Sequence, residues 1–174
     1  MSIQDPARIH SRAALVLKEL QGSPAWRGVL EKAALTTSLP MLVTSIAPVM
    51  DMGSKKRLRL PDYYIVSLVH GDAIKARFAH HAETGDLLEA EGARRTGAAL
   101  RPYVDPNPIA RSELLGAAPS AADSAQLAGQ AVWRPCREST SRFAPFWRFQ
   151  FKGRTLYVRA DGKTFSELTV TGRG

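Results

Sequence analysis

Hydrophobic and polar side chains alternate most strictly near the end of the chain, between Phe146 and Lys152. Such alternation predicts a half-buried strand, since successive side chains of a strand point to opposite faces. Its apolar side carries Trp147, Phe149 and Phe151. The pair Lys152-Gly153 predicts a turn, residues 155–159 a returning strand, and Asp161-Gly162 a second hairpin turn before a last short strand.

Residues 62–91 show the same succession of strand-like runs and turn residues. A β-rich run over 62–70 leads through Gly71-Asp72 into an alternating run over 73–80. A second turn at 83–86 precedes a third short strand at 87–90. The pattern therefore predicts a three-stranded antiparallel meander.

Helical signals stand before both strand-rich stretches. Asp5 and Pro6 predict a helix start and Gly22 its end, and a helical spacing of apolar residues continues over 24–38. Residues 39–52 fit either a buried strand or a packed loop. Ser120 and Asp123 predict the start of a later helix with its body at 124–132.

These elements predict an α+β protein in which helices pack on antiparallel β-meanders. We expect two similar helix-plus-sheet units, over residues 1–100 and 120–174. A proline-rich connector would join them over 101–119, where we predict at most one short helix, beginning at Pro108.

The first meander resembles the PepSY module, a cystatin-like α+β fold, whose strand pair ends in a pattern of the kind Asp-Ala-x-Thr-Gly-x-hydrophobic. The matching residues are His81-Ala82-Glu83-Thr84-Gly85-Asp86-Leu87, with His81 in place of the usual Asp. The second meander, through Trp147 and Asp161-Gly162, is similar but more degenerate. The resemblance implies a tandem of non-enzymatic modules that bind proteins, and it supplies no catalytic residue.

The chain carries a net charge of +8 and has the hydrophobic and charged fractions of a globular protein, 44% and 23%. Residues 133–174 hold nine basic and three acidic side chains. Such a surface attracts an acidic protein, a nucleic acid or anionic lipid. With no secretory signal pattern and no apolar run long enough to span a bilayer, we expect a cytoplasmic protein.

Candidate chemistry in the sequence is sparse. The single cysteine, Cys136, lies between Arg134 and Arg137 and is a weak candidate nucleophile, with a small buried side chain as the simpler interpretation. His80-His81 is a poor metal site because neighbours on a strand point to opposite faces. We expect no cofactor and no metal, and we expect the protein not to be an enzyme.

The remaining candidate sites are surfaces. The predicted partner-binding residues are Trp133, Arg134, Glu138, Arg148, Lys152, Arg154, Tyr157 and Arg159. A phosphate-binding alternative uses Lys55, Lys56, Arg57 and Arg59. The sequence thus favours a non-catalytic interaction or regulatory module that binds a protein partner, or assembles with itself, through sheet edges and the basic C-terminal face. The alternatives are a nucleic-acid-binding protein and a Cys136-dependent enzyme.

Overall fold

The computed structural model describes residues 3–24, 26, 35–46, 49–50, 57–58, 60–93, 99–116 and 119–169. It has a mixed α+β fold with mostly antiparallel strands, as predicted. The chain divides into two compact units. The first comprises Met1–Leu42 and Pro61–Pro102, and the second comprises Val43–Leu60 and Tyr103–Gly174. Residues 43–60, predicted within the first unit, therefore belong to the second.

The first unit begins with helix α1, Pro6–Gln21. Asp5 caps it by accepting a hydrogen bond from the Ala7 N–H at 2.9 Å, and Gly22 follows its last residue. Both ends are where the sequence predicts them. The face of α1 that carries Ile9 and Ala13 is buried against the strands.

Three long strands of the first unit form the predicted meander: β5 (Tyr63–His70), β6 (Ala73–His81) and β7 (Leu87–Gly92). All pair antiparallel, β5 with β6 and β6 with β7. The face towards α1 buries a core of Tyr64, Val66, Leu68, Ala76, Phe78 and Ala82. A two-residue strand, β1 (Thr36–Thr37), pairs with β5, which corrects the end of the helix predicted over 24–38. The middle of that predicted helix, 27–34, lies outside the described residues.

The second unit is built on strands β8 (Gln130–Trp133), β9 (Phe146–Phe151), β10 (Arg154–Arg159) and β11 (Thr164–Phe165). They pair antiparallel in chain order. Strand β2 (Met41–Ser45) adds a parallel pairing of Thr44 and Ser45 with β8, and β3 (Val49–Met50) pairs with β4 (Arg57–Leu58). Residues 41–45, within the stretch 39–52 for which the sequence allows a strand or a loop, therefore form a strand. The helix predicted over 124–132 ends at Gln126, and β8 follows it.

Two helices belong to the second unit, α2 (Pro106–Leu115) and α3 (Ala121–Gln126). Asp105 caps α2, and Ser120 caps α3 by accepting from the Asp123 N–H at 3.1 Å. Prolines at the first turn of a helix lose no hydrogen bond, so α2 begins at Pro106, two residues before the predicted Pro108. Its Ala110 and Leu114 pack on Phe149, Leu156 and Val158, and the proline-rich stretch is therefore part of a core.

The aromatic strand β9 is buried on both faces. Phe149 and Phe151 pack under α2 as predicted, with Trp147 partly buried beside them. Phe146 lies on the other face, in a second core with Val132 and Cys136. The sequence places only one apolar face on this strand.

Candidate functional site

The predicted basic face is not one continuous surface. The Lys152 ammonium lies 3.3 Å from Asp123 of α3 and 4.8 Å from the centre of the Phe151 ring. Arg154 donates to the backbone carbonyl of Glu113 at 3.2 Å. Both cations therefore lie beside the helices of the second unit. Arg148 and Tyr157 face each other across β9 and β10, on the opposite face of the sheet from the Phe149 core.

Arg159 is buried, with 8% of the residue exposed, so it is not part of an exposed cationic face. Its guanidinium donates two hydrogen bonds to the Asp161 carboxylate, at 2.9 and 2.7 Å, and a third to the Glu138 carbonyl. The Arg159 guanidinium, donating to the Asp161 carboxylate, lowers the pKa of Asp161 to about 2. The hydrogen bond to Glu138 connects β10 to the segment that precedes β9.

Trp133 and Glu138 also make intramolecular contacts. The Trp133 indole N–H donates to the Ser141 carbonyl at 2.9 Å, and the Arg142 guanidinium lies 5.6 Å from its ring centre. Glu138 accepts from the Thr169 N–H at 2.9 Å. Burial alone would raise the pKa of Glu138, but the hydrogen bonds from its own and the Thr169 backbone N–H lower it on balance. Arg134 is half-buried.

Cys136 lies in the core with Val132 and Phe146 and is 7% exposed. Burial raises the pKa of its thiol, which opposes formation of the nucleophilic thiolate. The Cys136 thiol donates a hydrogen bond to the Glu138 carboxylate, which also raises the pKa of the thiol. The surroundings of Cys136 therefore favour the neutral thiol over the thiolate.

The candidate phosphate-binding and metal-binding residues form no site within the described part of the chain. Lys55, Lys56 and Arg59 lie outside the described residues, as does the side chain of Arg57. No group of three or more metal-binding side chains occurs in the part of the chain that the structure describes. His80 is fully buried, its Nδ1–H donates to the Gly85 carbonyl at 3.1 Å, and burial lowers its pKa.

Strand β7 offers a feature that the sequence pattern does not single out, because it ends the strand order. The Ala93 N–H donates to the Lys75 carbonyl at 3.0 Å, and Glu91 and Glu89 lie opposite Arg77 and Ala79. Since alternate residues of an antiparallel pair share hydrogen bonds, Glu89 and Glu91 direct their backbone groups to β6. The N–H and C=O groups of Ala90 and Gly92 therefore point outward, whereas the register shifts at Leu88, where Leu87 pairs with His80 directly after Glu89 pairs with Ala79. These groups make no hydrogen bond within the described residues.

The side chains of β7 divide between its two faces. Ala90 points towards the α1 side, where it packs on the core, and Gly92 lies so close to Trp26 that an added Cβ would come 2.5 Å from the ring. On the other face, Glu89 is exposed. The Glu91 carboxylate pairs with the Arg77 guanidinium at 3.4 Å. The edge thus combines open backbone groups with an acidic outer face.

A second surface lies on the second unit alone. The register places Gln130, Arg148, Tyr157 and Phe165 in one row across β8 to β11. The Arg148 guanidinium donates to the Gln130 side chain at 2.6 Å, and Gln130 donates to Thr44 at 3.3 Å. Tyr157 and Phe165 are half-buried, with rings that meet Phe146 edge to face. The row is an aromatic and cationic strip, and its two aromatic side chains pack against the core of Val132, Cys136 and Phe146.

Comparison with known proteins identifies no relative: no family model, curated protein or solved structure matches the chain. Among the described residues, no helix is both long and apolar enough to cross a membrane. The functional argument therefore depends on the two surfaces just described.

Proposed function

We propose that the protein is a non-catalytic interaction module that takes up an extended segment of another chain along the outer edge of β7. The observation that supports this proposal is the edge itself, where Ala90 and Gly92 present their N–H and C=O groups in one direction. An added strand would pair with both residues, and main-chain hydrogen bonds would supply the affinity. The PepSY-like character of the chain and the similarity of its two units stay predictions.

The length of the edge favours strand addition there over the other end of the strand order. From Glu89 to Gly92 the strand extends about 10 Å. Strand β11 has only two residues, and the chain bends away after Phe165. An occupant of β7 can therefore form hydrogen-bonded pairs with both Ala90 and Gly92, which fix its direction and register.

The proposal is tested by the variant Ala90→Pro. Ala90 directs its N–H away from β6, so proline removes a donor that the fold does not use, and prolines are tolerated on strand edges. Ala90→Ser keeps the donor and is the matched control. Both variants should unfold within about 1 kcal/mol of the wild-type protein.

Binding is then compared by immobilising the three proteins and measuring the partners retained from cell lysate by quantitative mass spectrometry. We expect a set of proteins retained by the wild type and by Ala90→Ser and lost with Ala90→Pro. In hydrogen exchange, the amides of Ala90 and Gly92 should exchange fast in the free chain and slowly once a partner is bound. Equal retention by Ala90→Pro would disprove strand addition at β7.

Nucleic-acid binding is a second candidate, and the row of Gln130, Arg148, Tyr157 and Phe165 favours it. Aromatic side chains on a sheet stack on bases, and arginine adds attraction to phosphate. Arg148→Gln should then weaken the binding of a fluorescent single-stranded oligonucleotide more than Lys163→Gln, which removes the same charge from an exposed turn. Affinity that is independent of salt, or equal loss in both variants, would count against this candidate.

A further inference from the structure

We infer that the strand received by β7 comes from a different protein and carries basic residues at alternate positions. This inference rests on the proposed strand addition and names the chemistry of its occupant. It depends on three observations: the phase of the open backbone groups, the exposed carboxylate of Glu89, and the registers that two copies of β7 can adopt.

The phase of the backbone decides which side chains meet most closely. Because Ala90 and Gly92 would form the hydrogen-bonded pairs with an antiparallel occupant, Glu89 and Glu91 lie at the alternate positions. At those positions the two strands approach most closely, to about 4.5 Å between Cα atoms. The occupant's residues opposite the two glutamates thus lie within reach of the carboxylates, and opposite charges stabilise such pairs.

Glu89 differs from Glu91 in its partners among the described residues. Its carboxylate makes no salt bridge or side-chain hydrogen bond within that part of the chain, whereas Glu91 is partnered by Arg77 at 3.4 Å. Glu89 is also exposed, so a lysine or arginine opposite it gains an ion pair without displacing one that the structure describes.

A second copy of β7 is a poor occupant for the same reason. In an antiparallel pair, the outward residues of one copy must meet the outward residues of the other. If Ala90 lies opposite Ala90, each Glu89 lies opposite a Glu91. If Ala90 lies opposite Gly92, the two copies of Glu91 lie opposite each other. Both registers that place Ala90 opposite an outward residue therefore set like charges directly across from each other, which is destabilising.

The inference is tested with two synthetic peptides of nine residues, acetylated and amidated, in which valine alternates with either lysine or glutamate. Their affinities are measured by calorimetry with the full chain. The net charge of +8 favours the glutamate peptide through non-specific attraction and opposes the lysine peptide. Tighter binding of the lysine peptide would therefore report the local field of Glu89 and Glu91.

We expect the lysine peptide to bind the wild type about tenfold more tightly than the glutamate peptide, a difference of about 1.4 kcal/mol. Glu89→Lys should remove or reverse that preference, and Ala90→Pro should abolish binding of either peptide. The backbone contributions to binding are the same for both peptides, so the comparison isolates the charges.

The possible failures are distinguishable. If the glutamate peptide binds as tightly or more tightly, and Ala90→Pro abolishes that binding, strand addition stands and the basic occupant is wrong. If neither peptide binds, or if Ala90→Pro changes nothing, strand addition itself fails. A dimer in light scattering that Ala90→Pro dissociates would show that a second copy occupies the edge.

Discussion

Replacing Arg159 with methionine should destabilise the protein by about 2–3 kcal/mol. Methionine fills a similar volume, so the change mainly removes the guanidinium. That group donates twice to the Asp161 carboxylate and once to the Glu138 carbonyl, and it lies 5.7 Å from the centre of the Phe165 ring. The substitution therefore tests whether Arg159 stabilises the fold, as its contacts indicate, or is the solvent-exposed cation that the strand pattern predicts.

The magnitude follows from the two acceptors. The pKa of Asp161 falls from 3.8 to about 2, which corresponds to at most about 2.5 kcal/mol. Because the Asp161 side chain is 50% exposed, solvent screening reduces this contribution to about 1 kcal/mol. Loss of the charged hydrogen bond to the Glu138 carbonyl adds about 1.5 kcal/mol. For a chain of this length, the midpoint of thermal unfolding should fall by about 5–10 °C.

Urea unfolding followed by tryptophan fluorescence measures the effect, with Asp161→Asn as the companion variant. The pKa of Asp161 is lowered in the folded state, so its contribution is present above pH of about 4 and is lost as the pH falls towards 2. The gap between the wild type and Arg159→Met should narrow over that range. A loss below about 0.5 kcal/mol at pH 7, with Asp161→Asn also unchanged, would show that Arg159 contributes only as a solvated surface cation.

Two further predictions concern buried groups. Burial lowers the pKa of His80 below 6.5; Arg12 lowers it further, whereas the Gly85 carbonyl and Asp86 raise it. The contribution of His80 to the free energy of unfolding should therefore be fully present above pH 6.5 and should decline as the pH falls below that value. His80→Gln should flatten that decline, whereas the exposed His70→Gln should leave it intact. Cys136 should react with iodoacetamide only at the rate of global unfolding, because it is buried and its pKa is raised; fast alkylation of the folded protein would contradict this.

Local chemistry explains which parts of the fold follow from the sequence. The turn at Lys152-Gly153 needs positive φ at both residues, and the structure has 45° and 79° there. Asp5-Pro6 and Ser120 act through neighbouring backbone groups alone. Such features depend on a few consecutive residues, and the sequence contains all the information that they need.

The missed elements depend on distant partners. Gln130–Trp133 continues an alanine-rich helical run, yet it forms a strand because Val132 and Trp133 pair with Thr44 and Ser45, far back in the chain. Local propensity yields to such pairing. The alternation of apolar and polar residues predicts that Arg148 and Arg159 both point outward from their strands. Arg159 is buried among the Asp161 carboxylate, the Glu138 carbonyl and the Phe165 ring, whereas Arg148 is half-buried; strand periodicity does not encode those contacts.

The composition of the β7 edge bears on its use. A long unpaired edge invites association with other strands, and proteins restrain it with short length, proline, bulges or charge. Strand β7 has six residues, no proline and an exposed leucine, and the register shift at Leu88 leaves a regular edge only from Glu89 to Gly92. On that regular part, the charges of Glu89 and Glu91 are the restraint. Acidic charge repels a second copy of the same strand and attracts a basic one. The same two side chains that keep the edge from pairing with itself therefore define the partner that it would accept.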